Sequence, residues 1–234
     1  MRIAVMQPYI FPYIGYFQMI KAVDTFVFYD DVNFIKQGWI NRNNILLGNN
    51  AHLFTVPLDS ANSFVEIKET LINKQLYKDW REKFLKTLYQ NYKKAPFFSE
   101  TWKVLECVFN QDVNTISELA ILSIKQIAHY LELKTNFKIA SESYLNKDLE
   151  RQSRLIAICH KEEAIHYINA IGGQSLYKKE NFITQGIKLD FIKSKPIQYK
   201  QFNNDFVPWL SIIDILMFNS VEEVNVMLDQ YELL

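Results

Sequence analysis

The chain opens on a short apolar run, residues 2–7 (RIAVMQ), with the length and composition of a buried strand. Pro8 and Pro12 bound a loop, and Gly15 precedes a helix-like run through Gln18, Ile20 and Ala22. Residues 25–29 (TFVFY) read as a second strand that stops at Asp30-Asp31. Strand, loop, helix and strand within about thirty residues predict a βαβ unit, its two strands parallel and adjacent. Residues 45–47 and 52–56 predict a hairpin turning at Gly48-Asn49-Asn50. Over 73–94, Leu76, Trp80, Phe84, Leu88 and Tyr92 recur every fourth residue between lysines, an amphipathic helix that Pro96 stops. Helical patterning continues over 99–109 and 115–131. Residues 137–139 predict a third parallel strand. Helices are expected over 149–160 and 162–171, the latter capped by Gly172-Gly173. A strand is expected over 187–192, then two helices over 209–231. The pattern predicts an α/β fold in a single unit spanning 1–234. It combines a Rossmann-like parallel sheet, a large helical insertion or subdomain over 73–131, and a helical C-terminus.

Composition narrows the classes. Hydrophobic residues make up 49% and aromatic residues 15%, too many for a disordered chain. Lys plus Arg and Asp plus Glu are 26 each, so the formal net charge is zero and nucleic acid is not an expected partner. Cys107 and Cys159 sit in apolar, helix-like contexts that suit reduced thiols. Pro8, Pro12 and the nearby tyrosines interrupt any secretory signal, and no stretch approaches the ~20 apolar residues of a membrane span. A soluble, cytoplasmic protein is expected.

Ligands of open parallel sheets bind beyond the carboxyl ends of the strands. Gln7, the loop with Tyr9, Tyr13 and Tyr16, and Asp30-Asp31 should therefore share a crevice. A helix starting near Gly15 would point backbone N–H groups at an anion there. Asp30 and Asp31, adjacent in extended chain, point to opposite faces, so at most one enters the crevice. Lys36, Asn41, Arg42 and Asn43 follow at once, with Arg42 a planar fork for phosphate or carboxylate and Lys36 a mobile point charge. No G-x-G-x-x-G follows the first strand, and no phosphate-loop or H-E-x-x-H string occurs. No metal is expected. Cys159 and His160, neighbours on a helix, do not face each other. Farther on, Gly173 would let backbone approach a ligand closely, and Tyr199 and Gln201 would share one strand face. Asp214, in an apolar run, needs a partner if buried, and Ser211, three residues before it, shares its helix face.

The run MQPYIFPYIGYFQMIKAVDTFVFYDDVNFIKQGWINRN resembles the WbqC-like family of bacterial surface-glycan gene clusters. The likeness recurs at WREKFLKTLYQNYKKAPFF, NAIGGQSLYKKENFITQGIKLDFI and YKQFNNDFVPWLSIIDILM. It implies an enzyme that decorates sugars by acyl or aminoacyl transfer to an amino sugar. A fainter similarity links the N-terminal βαβ to nucleotidyltransferases of the HIGH-motif superfamily, whose two histidines are here Tyr13 and Tyr16 around Gly15. Tyrosines lack the imidazolium charge that steadies phosphates in such enzymes.

Together these readings predict a transferase acting on a nucleotide-linked amino sugar. Gln7, Tyr9, Tyr13, Tyr16, Asn41, Arg42, Asn43, Gly173, Tyr199 and Gln201 would bind substrate. Asp30 or Asp31 would take the amine proton, with Lys36 alongside. The donor is left open among acyl-CoA, aminoacyl-tRNA and an ATP-derived adenylate, as is the oligomeric state. The alternatives are a nucleotide-dependent ligase or nucleotidyltransferase, and a non-catalytic nucleotide-sugar or glycan binder.

Overall fold

A computed structural model of the chain describes residues 1–202 and 205–234. The N-terminal βαβ unit consists of β1 (Arg2–Met6), α1 (Ile14–Lys21) and β2 (Thr25–Phe28). β1 and β2 are parallel, with Ile3 opposite Thr25 and Met6 opposite Phe28. The hairpin follows as β3 (Arg42–Leu47) and β4 (Asn50–Thr55), antiparallel and separate from the main sheet. Three helices come next, α2 (Lys74–Tyr92), α3 (Phe98–Phe109) and α4 (Ile116–Tyr130). Asn73 caps α2, and Thr115 and Glu118 form a reciprocal capping box on α4. The chain then returns to the sheet through β5 (Asn136–Ile139), α5 (Ala140–Ser143), α6 (Arg151–Lys161), β6 (His166–Ala170), α7 (Lys179–Ile183) and β7 (Lys188–Ser194). It ends in α8 (Ile212–Phe218), α9 (Val221–Leu228) and β8 (Tyr231–Leu233).

The main sheet has six strands in the order β5-β2-β1-β6-β7-β8, parallel except for β8. Helices cover both faces, as a buried parallel sheet requires. Alternating strand residues feed two apolar cores. Ala4, Phe26, Phe28 and Ile168 pack with α1, α4, α8 and α9, and the same cluster takes in Phe84 and Leu88 of α2. Ile3, Val5, Val27 and Tyr167 pack on the other face with Leu155 of α6 and Phe182 of α7. The arrangement is Rossmann-like. Among the described residues no helix is long and apolar enough to cross a membrane.

Three expectations about elements are corrected. Residues 162–171 form no helix. α6 ends at Lys161, Glu163 turns at φ 53°, and residues 166–170 become β6. A short apolar run fits a strand or a helix equally by pattern, and here the open side of β1 on one flank and β7 on the other both offer ladder partners. Gly172-Gly173 accordingly form a tight turn after a strand and cap no helix. Tyr199 and Gln201 lie outside any strand, while the C-terminus adds an edge strand, β8, to its two helices.

Asp214, fully buried in α8, ties several of these pieces together. It accepts hydrogen bonds from the Tyr92 hydroxyl at 2.8 Å, the Tyr199 hydroxyl at 2.6 Å and the Gln201 amide at 2.7 Å. Tyr92 in turn accepts the backbone N–H of Leu46 at 2.8 Å, linking α2 and β3 to α8. Ser211 is the N-cap of α8 and accepts from the Ile213 N–H. Burial raises the Asp214 pKa despite the three donors. Asp214→Ala should therefore cost on the order of 3 kcal/mol, because it strands several buried donors. Tyr199→Phe should cost about 1 kcal/mol. Urea unfolding of the two variants checks that ranking, and equal costs would contradict it.

Candidate functional site

The sheet order reverses at β1, since the chain passes to β2 on one side and later returns to β6 on the other. Loops leaving β1 and β6 therefore diverge, which opens a crevice beyond their carboxyl ends. A cavity of about 450 Å³ occupies this position. Gln7 and Tyr9 enter it from the loop after β1, Tyr29 from the end of β2, and Asn169, Gly173 and Tyr177 from β6 and the segment after it. Arg151, the first residue of α6, adds a positive charge. Glu150 caps that helix and already accepts the N–H groups of Gln152 and Ser153, so the guanidinium is the anion-attracting group there. Gly173 and Asn169 approach closely here: an added Cβ would stand 2.5 Å from Nδ2 of Asn169, whose side chain would have to shift. Burial raises the Tyr9 pKa to about 12 and that of Tyr29 as well, so both rings present neutral hydroxyls.

Behind Tyr29 lies a buried ion pair. Arg154 donates to Asp31 Oδ2 at 2.6 Å, its side chain 4% and that of Asp31 3% exposed. The same guanidinium donates to Asn146 at 3.1 Å and stacks 4.6 Å from the Tyr29 ring centroid. Asp31 Oδ1 is buried with no hydrogen-bond partner among the described residues. Asp30 turns the other way, as expected of its neighbour. It accepts the N–H of Ser141 at 3.0 Å and its hydroxyl at 2.6 Å, at the start of α5. It opens onto a separate cavity of about 510 Å³ beside α4. Neither carboxylate lines the crevice. Lys36 is exposed on the loop between β2 and β3.

The remaining residues singled out from sequence are distributed by their backbone partners. Tyr16 is buried, and its hydroxyl donates to the Gln7 carbonyl at 2.8 Å, fixing the loop after β1. Asn43 donates to the carbonyls of Ile10 and Phe11, and Asn41 to that of Val56. Arg42 donates to the carbonyls of Gln37 and Gly38, with its guanidinium 5.9 Å from the Trp39 ring. These four side chains shape loops. Tyr199 and Gln201 are held by Asp214. Tyr13 stays exposed and faces two cavities outside the crevice. Its ring lies over Gly15, where an added Cβ would meet it at 2.4 Å, so the first turn of α1 is covered and not offered to the crevice. Gln7, Tyr9 and Gly173 thus meet, whereas Tyr13, Tyr16 and the 41–43 segment do not join them. Tyr29, Arg151, Asn169 and Tyr177 carried no sequence signal beyond their residue types, because only the sheet brings their segments together. Among the described residues no group of three His, Cys, Asp or Glu side chains is placed to hold a metal ion.

Two outcomes follow from the carboxylates. Arg154→Met should destabilise by on the order of 3 kcal/mol in urea unfolding, and adding Asp31→Leu should recover part of that loss, because the single variant leaves a buried charge unpaired. No recovery in the double variant would show that packing dominates. Burial raises the folded-state pKa of Asp30. Its contribution to stability is then present below the unfolded value of about 4 and lost as pH rises through the folded value. Asp30→Asn should flatten the fall in the urea midpoint above about pH 4, and an unchanged slope would contradict this.

The chain is 28% identical over 218 residues to the uncharacterized protein Rv1507c of Mycobacterium tuberculosis (strain ATCC 25618 / H37Rv), a match spanning 92% of each chain. No solved structure matches. The WbqC-like protein family model matches residues 7–226, from the loop after β1 into α9, and the chain belongs to that family.

Proposed function

We propose that this protein is an enzyme of bacterial surface-polysaccharide biosynthesis that binds a nucleotide-linked amino sugar and transfers an acyl or aminoacyl group to its amine. The observation that carries the reading is the crevice at the strand-order reversal, where Arg151 stands among Tyr9, Tyr29 and Tyr177. Aromatic walls suit a base, one guanidinium suits a diphosphate, and the Gly172-Gly173 turn lets backbone come close to the ligand. The cavity volume lies within the range of roughly 300–1,000 Å³ usual for small-molecule sites. Membership in the WbqC-like family is consistent with a role in glycan biosynthesis.

In the transfer step the amine nitrogen forms a bond to the donor's acyl carbon, the donor's carbon–heteroatom bond breaks, and the amine proton goes to a base. Of the two acidic candidates, Asp31 is assigned that role: it lies behind Tyr29 and its Oδ1 has no hydrogen-bond partner among the described residues. It does not line the crevice, so the reading requires the Tyr29 wall to move when substrate binds. The positive charge that lines the crevice is Arg151, whereas Lys36, exposed on the loop between β2 and β3, does not line it. The donor's carbonyl chemistry is common to acyl-CoA, aminoacyl-tRNA and an acyl adenylate, and the zero net charge weighs against tRNA.

A second reading, a non-catalytic nucleotide-sugar binder, is favoured by one specific observation. Both acidic candidates already hold structural partners, Asp31 through Arg154 and Asp30 through Ser141.

Calorimetry with UDP, GDP and dTDP tests the crevice. Arg151→Ala should weaken the diphosphate that binds by about tenfold, near 1.4 kcal/mol, with little change in Tm, because the residue is exposed. Unchanged affinity would remove Arg151 from the site. Asp31→Asn should abolish acyl transfer. Because it also weakens the Arg154 ion pair, Tm and nucleotide-sugar affinity are measured alongside, and loss of transfer with affinity retained is the expected outcome. Binding without transfer from any of the three donor classes, by the unaltered protein, would establish the binder.

A further inference from the structure

Outside the crevice, three large aromatic side chains are exposed close together on the same edge of the molecule. Tyr13 is 37% exposed, Trp39 46% and Trp209 73%. Tyr13 and Trp209 form the common wall of two cavities, one of about 250 Å³ and one of about 480 Å³. Trp39 lines the smaller, and Tyr9 lines both that cavity and the crevice, so the two are neighbours across one side chain.

The backbone holds these rings out against local preference. Trp209 has φ 61°, a left-handed conformation that is costly for a bulky residue and persists only where neighbours enforce it. They do so here. The Ser211 N–H donates to the Asn44 carbonyl at 2.8 Å and the Ile212 N–H to the Pro12 carbonyl at 3.0 Å. These bonds fasten the segment just after Trp209 to β3 and to the loop carrying Tyr13. Trp39 is presented by a turn whose Gln37 and Gly38 carbonyls are both held by Arg42. A strained backbone that exposes a tryptophan gains nothing from burial, and such strain gathers at ligand sites.

We infer that Tyr13, Trp39 and Trp209 form a saccharide-binding shelf beside the crevice. The inference rests on the nucleotide-sugar reading above and locates the sugar. The Tyr13 and Trp209 rings are 6.3 Å apart and tilted by 56°, which makes an angled wall and no parallel slot for a planar base. The hydrogen-bonding groups at the rim are mostly neutral. The side-chain amides of Asn44 and Gln198 line the two cavities with no partner among the described residues, and Lys195 supplies a single positive charge. A sugar ring presents both an apolar C–H face for the rings and hydroxyls for the amides. A bare alkyl chain would leave those amides unpaired.

The test uses the full chain, with UDP, GDP, dTDP, their hexose, N-acetylhexosamine and 6-deoxyhexose conjugates, the matching methyl glycosides, and decanoate. The preferred nucleotide-sugar should bind about tenfold or more tighter than its nucleoside diphosphate. Trp209→Gly and Trp39→Ala should each erase most of that advantage while leaving diphosphate affinity unchanged. Trp209→Gly should also hold or raise Tm, since glycine accepts φ 61° without strain. An advantage that survives both substitutions overturns the shelf and leaves the crevice reading intact. Diphosphates that fail to bind while methyl glycosides bind in a Trp209-dependent way overturn the crevice reading and keep the shelf. Trp209-dependent binding of decanoate in place of sugars, or binding of none of these ligands, overturns the saccharide assignment.

Discussion

The pairing of β1 on both flanks is the constraint from which the rest follows. Four register positions join it to β2, and two join it to β6. Once both neighbours are parallel, the loops at its carboxyl end must part, and the space between them cannot be filled by a tight connection. The crevice is therefore a topological product. Its walls come from residues near positions 7, 29, 151 and 170, brought together by hydrogen bonds that none of those side chains makes. Buried strands of this kind need helices on both faces, which is why the two apolar cores divide along alternate residues of β1 and β2.

Polar groups buried in this framework are used as ties. Asp214 gathers Tyr92, Tyr199 and Gln201, and through Tyr92 reaches the backbone of β3. Arg154 and Asp31 brace Tyr29 against α6. Asn43 holds the two carbonyls at the centre of the proline-bounded loop. Each tie crosses between segments far apart in sequence, so the loops at the carboxyl edge are anchored at several points. Burial makes these contacts costly to break, and that cost specifies the loop geometry.

Several polar side chains between Gln7 and Asn43 hold backbone carbonyls. The density of tyrosine, asparagine and charge in that segment looks like ligand chemistry. Much of it satisfies the carbonyls of an irregular loop that has no ladder to pair with. Tyr16 serves Gln7, Arg42 serves Gln37 and Gly38, and Asn41 serves Val56. Gln7 and Tyr9 remain at the crevice and Tyr13 at the aromatic wall beside it.

The sequence by itself determined the periodic elements: the N-terminal βαβ unit, the hairpin, and the amphipathic helices between residues 73 and 131. Their apolar spacing is local and survives without knowledge of neighbours. It also determined that Asp30 and Asp31 diverge, because extended backbone alternates. Tertiary structure alone decided that residues 166–170 are a central strand, since a short apolar run takes its form from whichever partner is free. It decided, too, which polar side chains line a cavity and which hold a carbonyl. That choice depends on where the unpaired backbone groups of distant loops come to rest, and no spacing along the chain encodes it.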